Sequence, residues 1–365
     1  MVLAQCNLLV GDVPANAELV VRSSIEARDR FGADLILFPE LTLTGYPPED
    51  LLLRPALQHL VDEAMEYLLQ EVRGIHVLVG HPELVGGARH NSASLLYNGE
   101  ILACCRKHHL PNYSVFDEAR YFVPGDGYVI ADVEGFKAAI TICEDIWRPR
   151  SARLAADAGA ELIININASP FHAGKGQERE AVVAQRVAET GMPMVYLNLV
   201  GGQDELVFDG ESFVLDGAGC TTHRFPACEE GLYAVEFTRT DAHVLPVNGR
   251  VPAHLEEEES IYRALVLGVR DYIAKNGFDG AVIGLSGGVD SALTLAIAVD
   301  AIGADRIEAV MMPSRYTAEI SLADARAEAQ ALGVRYREIS IEPVFGAFLD
   351  ALSDAFAGKP RDATE

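Results

Sequence analysis

Paired cysteines, basic residues and long apolar runs are what this sequence has little of. Its six cysteines, Cys6, Cys104, Cys105, Cys143, Cys220 and Cys228, include no C-x-x-C pair. Disulfide frameworks belong to small secreted chains and zinc sites to clustered thiols, so neither is expected, and a reducing cytoplasm is the compartment that fits. Lysine and arginine total 29 against 54 aspartates and glutamates, a formal net charge of −25. That balance excludes a general electrostatic grip on nucleic acid. It leaves room for a nucleotide, because a nest of backbone N–H groups binds phosphate on an acidic protein too. No stretch of about 18 uncharged apolar residues occurs, so no membrane span is expected. The start, Met1-Val2-Leu3-Ala4-Gln5, lacks the basic residues and apolar run of a secretory signal. There is no internal repeat and no low-complexity segment.

What is present is α/β texture. At 365 residues, 49% of them hydrophobic, the chain is long enough for two sizeable cores. Asp34 to Phe38, Ile75 to Gly80, Ala138 to Cys143, Glu161 to Asn165 and Met194 to Leu199 are short, continuously apolar runs. Continuity rather than alternation points to strands covered on both faces. Amphipathic stretches, Asn16 to Arg30, Pro55 to Val72 and Gln177 to Thr190, lie between them, which is α/β organisation. Near Leu245 the texture changes: Pro246 to Pro252 carries turn formers and two prolines, and Glu256 to Glu259 form an acidic run. That run reads as a solvated linker and the first turn of a helix, where negative charge suits the macrodipole. The boundaries expected are a first domain over 1–245, a linker over 246–257 and a second domain over 258–365, opened by a helix from about Glu258 to Asn276.

Glu40, Lys107 and Cys143 each stand at or just after the end of an apolar run, where ligand sites gather in α/β sheets. Singly, each has a bland reading: a loop glutamate, a surface lysine and an inert core thiol. Together they suit acyl transfer from an amide. A thiol needs a neighbouring base to become a nucleophile. Glu40 can take that proton and return it to departing ammonia, while Lys107 and the backbone N–H after Cys143 face the oxyanion.

Phe38-Pro39-Glu40-Leu41, Arg106-Lys107-His108-His109-Leu110-Pro111 and Ile142-Cys143-Glu144-Asp145-Ile146-Trp147 resemble, in order, the three signature segments of the nitrilase (carbon–nitrogen hydrolase) superfamily. Leu43-Thr44-Gly45-Tyr46-Pro47-Pro48-Glu49-Asp50-Leu51 is similar to the glutaminase domains of NAD⁺ synthetases. The resemblance implies an αββα sandwich with Glu40 as base, Lys107 as oxyanion stabiliser and Cys143 as nucleophile. It casts Glu118 and Glu144 as supporting carboxylates, with a surface helix charge as the alternative for Glu118. Tyr113, Ser169 and Lys175 become candidates for glutamine binding. Lys175 would suit the substrate carboxylate, and plain packing stays open for Tyr113.

In the second domain, Gly284-Leu285-Ser286-Gly287-Gly288-Val289-Asp290-Ser291 turns from a strand into a helix. Glycines let backbone approach phosphate, and the following helix N-terminus favours an anion. Asp290 offers a carboxylate for Mg²⁺. There is no Gly-Lys-Ser/Thr, so the loop is not a Walker A motif. Ser286-Gly287-Gly288-Val289-Asp290-Ser291 resembles the pyrophosphatase loop of the ATP-pyrophosphatase superfamily, and Val310 to Thr317 resembles the second strand and loop of NAD⁺ synthetases. Ala318-Glu319-Ile320 departs slightly from that pattern.

The pairing of the two domains resembles the glutamine-dependent NAD⁺ synthetases. It implies a nitrilase-type sandwich followed by a Rossmann-like α/β ATP-pyrophosphatase domain, incomplete here. It also implies glutamine, ATP and deamido-NAD⁺ as substrates, Mg²⁺, an enclosed ammonia path and a homo-oligomer. The alternatives are a stand-alone nitrilase-superfamily amidase with a non-functional synthetase remnant, and a non-catalytic nucleotide-binding scaffold. From the polar tail after Phe356, the second domain is expected to lack part of its synthetase site, to make no NAD⁺ even with ammonia supplied, and to leave Leu295 and Ile297 uncovered.

Overall fold

The apolar runs become strands because nearly every residue along them finds a buried surface on one face or the other. In the computed structural model, which describes residues 1–240 and 243–358, the chain divides into two compact units, Met1–Ala264 and Leu265 onward. The tail from Lys359 to Glu365, read as a loop, lies outside the described residues.

The first unit opens with β1 (Val2–Gln5), α1 (Val13–Phe31) and β2 (Leu35–Leu37), then α2 (Pro55–Glu71), β3 (His76–Val85), β4 (Ala88–Tyr97) and β5 (Glu100–Arg106). It repeats the theme with β6 (Val129–Val133), β7 (Phe136–Ile142), α3 (Pro149–Asp157), β8 (Leu162–Asn167), α4 (Lys175–Thr190) and β9 (Met194–Asn198). A ribbon of β10 (Val200–Gln203) and β11 (Leu206–Asp209) follows, then β12 (Phe213–Leu215), β13 (Thr221–Arg224), β14 (Gly231–Ala234), β15 (Phe237–Arg239) and β16 (Val244–Pro246).

Two 6-stranded sheets result, ordered β14-β1-β2-β3-β4-β5 and β13-β12-β9-β8-β7-β6. β1, β2 and β3 run parallel, as do β7, β8 and β9, and the strands flanking each set are antiparallel. Alternate residues face different layers. Leu3, Leu35, Leu37 and Leu78 meet Ile140, Ile142, Ile164 and Leu197 between the sheets. Val2, Ile36, Val77 and Val79 pack with Val20 of α1 and Val61 and Leu68 of α2. Ile163, Met194 and Tyr196 pack with Val183 and Val187 of α4. This is an αββα sandwich, and each fully buried Leu, Ile or Val in it is worth about 1.5–3 kcal/mol.

α5 (Glu257–Lys275) spans the division between the units and begins with Glu257, Glu258 and Glu259 in its first turn, where the macrodipole favours them. The second unit continues with β17 (Ala281–Gly284), α6 (Val289–Ile302), β18 (Ile307–Met311), α7 (Glu319–Leu332), β19 (Arg335–Glu338) and α8 (Glu342–Leu352). The strands form one parallel sheet in the order β17-β18-β19. The expectation that Leu295 and Ile297 stay uncovered is wrong: they are only 0% and 8% exposed. α6 turns Leu295 onto the sheet, where it packs with Leu285, Ile307, Ala309 and Ala325. Its open side carries Val289 and Leu293 instead, 78% and 51% exposed. No described helix is long and apolar enough to cross a membrane.

Candidate active site

Glu40 sits three residues past β2, in a turn pressed against β3. Phe38 N–H donates to the Leu78 carbonyl at 2.9 Å. A Cβ on Gly80 would lie 2.5 Å from the Pro39 carbonyl oxygen, so only glycine lets the turn come this close. Glu40 is fully buried. Its Oε1 accepts from Lys107 Nζ and Asn91 Nδ2, each at 2.7 Å, and its Oε2 accepts from Ala168 N–H at 3.0 Å. Lys107, the first residue after β5, is fixed by its N–H to the Asn91 carbonyl at 2.8 Å. Its Nζ also donates to Glu118 Oε1 at 2.8 Å, which accepts a further bond from Tyr46 OH at 2.9 Å. A lone buried ammonium would be costly, and two carboxylates hold this one.

Cys143 is the first residue after β7 and opens a short 3₁₀ turn, Cys143–Trp147. Its φ of +45° lies in the left-handed region, uncommon outside glycine. Burial pushes its thiol well above the ordinary value, Glu40 adds to the rise and Lys107 opposes it. The resting group is therefore a neutral thiol beside a carboxylate and an ammonium. Burial lowers Lys107, but Glu118 and Glu40 more than reverse this and hold its cation well above the usual range. Burial raises Glu118 to about 7, against the pull of Lys107 and with the help of Glu40. A protonated thiol, a base and a fixed cation in one dry pocket are the parts that acyl transfer needs.

A cleft of about 380 Å³ reaches Cys143 and is lined also by Tyr113, Glu144, Trp147, Ser169 and Lys175. Tyr113 OH donates to Glu144 Oε2 at 2.9 Å. Lys175, at the start of α4, lies 4.2 Å over the Trp147 ring and 2.9 Å from Glu178. Ser169 is held from behind. Its hydroxyl accepts from Arg179 at 3.2 Å, its N–H donates to Asn198 at 2.9 Å, and fully buried Arg179 is clamped by both oxygens of Asp209 at 2.8 and 2.9 Å. Glu40, Lys107 and Glu118 are buried, and Cys143 is the member of the set that lines the cleft. The sequence reading did not single out Asn91, Tyr46, Asp145, Arg179 or Asp209. Tyr46 and Asp145 lie inside the quoted segments, whereas Asn91 carries no local signal.

The second cluster is built from backbone. Leu285 is buried, and its N–H donates to the Val310 carbonyl at 2.9 Å. Gly287 has φ +75°, and a side chain there would collide with the Ser321 carbonyl oxygen. Ser286 Oγ accepts from Gly288 N–H at 3.2 Å and pairs with Ser291 Oγ at 2.9 Å. Gly288, Val289 and Asp290 are exposed, and the N–H groups opening α6 have no intrahelical partner, so the loop presents donors to an anion. Among the described residues no group of three or more His, Cys, Asp or Glu is arranged to hold a metal. Asp290 is an exposed carboxylate in this loop, and Mg²⁺ that arrives with nucleotide phosphates is commonly held by one or two carboxylates and its ligand's oxygens.

A carbon–nitrogen hydrolase family model matches residues 3–245 and an NAD synthase model residues 261–362. The glutamine-dependent NAD⁺ synthetase of Xylella fastidiosa strain Temecula1 is 45% identical over 365 residues, with 100% of this chain and 67% of the relative covered. That of Acinetobacter baylyi is 42% identical, covering 100% and 66%. The solved structure of glutamine-dependent NAD⁺ synthetase from Acinetobacter baumannii in complex with adenosine diphosphate superposes with a TM-score of 0.96 at 40% identity, over 100% of this chain and 68% of that one. An amidase from Nesterenkonia sp. superposes with a TM-score of 0.59 at 27% identity, over 68% of this chain and 89% of that one. The chain spans about two thirds of the length of the synthetases it matches. The amidase match covers only part of the chain, whereas the synthetase matches run through both units, which favours a synthetase over a stand-alone amidase. The chain belongs to the glutamine-dependent NAD⁺ synthetases, ligases that use ATP and take their amide nitrogen from glutamine, with a carbon–nitrogen hydrolase domain followed by an NAD synthase domain.

Proposed function

We propose that the first unit releases ammonia from the side-chain amide of glutamine through a thioester on Cys143. The observation that carries this is the buried pair of bonds by which Lys107 joins Glu40 and Glu118 next to Cys143. Glu40 takes the thiol proton as Sγ attacks the amide carbon. The oxyanion meets the Lys107 ammonium and the backbone N–H that follows Cys143. Collapse breaks the carbon–nitrogen bond, and Glu40 returns its proton to the leaving nitrogen, giving ammonia. Water then attacks the thioester as Glu40 takes its proton, the carbon–sulfur bond breaks, Glu40 returns the proton to Cys143 Sγ, and glutamate leaves. Support for a cysteine nucleophile also comes from the Nesterenkonia amidase, a variant of which carries the acetamide moiety of fluoroacetamide at its active-site cysteine. Lys175 is a cation along the cleft that suits the substrate's α-carboxylate, and Glu144, tied to Tyr113, is a carboxylate there, beside Glu178, that suits its α-ammonium.

The second unit is read as the consumer of that ammonia. The Gly284–Ser291 loop would cradle ATP phosphates while the nicotinate carboxylate of deamido-NAD⁺ is adenylated, with pyrophosphate leaving. Ammonia would then displace AMP to give NAD⁺. Asp290 would hold Mg²⁺, which when bound neutralises phosphate charge. Ammonia is largely protonated at neutral pH and then no nucleophile, which favours an enclosed path over release. A homo-oligomer and a cytoplasmic location belong to the same reading; six cysteines with no C-x-x-C pair among them support the latter. The assay is ammonia release from glutamine against simple aliphatic amides. A strong preference for glutamine is expected, and equal turnover of the aliphatic amides would favour a general amidase.

A further inference from the structure

Asp145 is fully buried two residues beyond the nucleophile position, and the chemistry above gives it nothing to do. Its bonds are unusual in their reach. Oδ2 accepts from Ile142 N–H at 3.2 Å, the residue just before Cys143. Oδ1 accepts from His108 N–H at 3.0 Å and His109 N–H at 2.9 Å, the two residues just after Lys107. The Ile142 bond alone would be ordinary helix capping, a side chain reaching back to the N-cap N–H of the Cys143–Trp147 turn. Capping does not call for the other oxygen. That oxygen binds a strand end 36 and 37 residues away in sequence, and bonds from N–H to a carboxylate are among the stronger kind.

The arrangement is closed on its remaining side. His108 Nδ1 lies 3.8 Å from Asp145 Oδ2, its Nε2 meets the Gly127 carbonyl at 2.9 Å, and its ring stacks on Tyr128 at 4.3 Å. The two segments that Asp145 joins carry the two groups whose spacing decides oxyanion stabilisation. Cys143 stands at a left-handed φ of +45°, a conformation that persists only where its surroundings hold it. Lys107 reaches the site on a long stem, so the path of its backbone, together with Glu40 and Glu118, limits where Nζ can go.

We propose that Asp145 is a positioning residue for glutamine hydrolysis: by bonding the main chain on both sides, its carboxylate locks the Cys143 turn to the Lys107 loop and sets the distance between nucleophile and oxyanion cation. This rests on the reading of Cys143 and Lys107 given above. A positioning role makes a prediction that scaffolding alone does not, because Asp145 then acts through Lys107. An oxyanion is formed both on making and on breaking the thioester, so loss of position slows both steps and leaves KM little changed.

The test is a double-mutant cycle on the full chain with Asp145→Asn, Lys107→Ala and the pair, assayed for glutamine hydrolysis. Asp145→Asn is nearly isosteric, keeps one accepting oxygen and turns a donor toward Ile142 N–H. It is expected to lower kcat by roughly tenfold to a hundredfold, the scale of a small misplacement, with KM within about threefold. The double variant is expected to be no slower than Lys107→Ala by more than about threefold. If Asp145→Asn melts below the assay temperature, Asp145→Glu replaces it in the cycle, keeping the charge on a longer arm and carrying the same expectation. Multiplicative losses, or a kcat within twofold of wild type, would overturn the proposal. An unaffected Lys107→Ala chain would instead overturn the underlying assignment of Lys107, so the two failures are distinguishable.

Discussion

At the end of β7, Cys143 is 6% exposed and feels Glu40, Lys107 and Glu118 through the protein interior. After β17, at the start of α6, Val289 is 78% exposed and Asp290 lies open beside it. Both sites use the same device, a sharp turn after a parallel strand, yet they place their polar groups oppositely. The first buries side chains and pairs each with another. The second exposes main-chain N–H groups and bonds Ser286 and Ser291 to each other. The difference follows from the chemistry each suits. Proton transfer and oxyanion stabilisation gain from a dry, preorganised site. A polyphosphate brings its own charge and counterions, so its cradle must be open and needs only donors.

Three substitutions probe that contrast, in order of falling effect. Lys107→Ala removes the cation from the buried set and should cut glutamine hydrolysis about a hundredfold or more, the usual loss for one oxyanion donor. Steady-state rates within a factor of two of wild type would return Lys107 to a structural role. Gly287→Ala attacks the exposed cradle, where φ is +75° and the Ser321 carbonyl leaves no space for a methyl group. Calorimetric titration with Mg²⁺-ATP should show affinity at least about tenfold weaker, the scale of one or two lost main-chain bonds. Unchanged affinity would mean that the loop does not hold the phosphates.

Glu118→Gln tests how dry the first site is. Burial lifts Glu118 from 4.5 to about 7, so between those values the folded chain keeps a proton that the unfolded chain releases. The stability this group contributes is therefore full below about pH 4.5 and is lost as pH rises through about 7. With the titrating group gone, the melting temperature of Glu118→Gln should fall less than that of wild type between these limits. Identical slopes in a thermal-shift series would contradict the burial account.

What could be read from the sequence differs between the regions for the same reason. The proposed phosphate cradle is local: Ser286 to Ser291 are contiguous, and the roles proposed for them follow from glycine and serine chemistry at a strand–helix turn. The buried set is local only in part. Glu40, Lys107 and Cys143 are marked by their place after apolar strands, and the structure brings Glu40 and Lys107 within 2.7 Å. Their partners are not marked, because Asn91 comes from β4, Ala168 from the segment after β8 and Tyr46 from a loop. Such partners meet only once the sheets have packed, and no periodicity records it. The strands covered on both faces were legible because burial on two sides leaves a continuous apolar run, as in Leu162 to Ile166. Leu295 was misjudged because an apolar helix does not say which of its faces meets the sheet, and α6 gave the sheet Leu295 while leaving Leu293 outside.

The central claim is that the buried thiol beside Glu40 and Lys107 is the nucleophile. Incubating the chain with a glutamine analogue that carries an electrophilic group in place of the amide, then mapping the adduct by peptide mass spectrometry, tests it most directly. The account predicts one adduct, on Cys143, that glutamine competes away. Modification of Cys104 or Cys105 with Cys143 left untouched would contradict it.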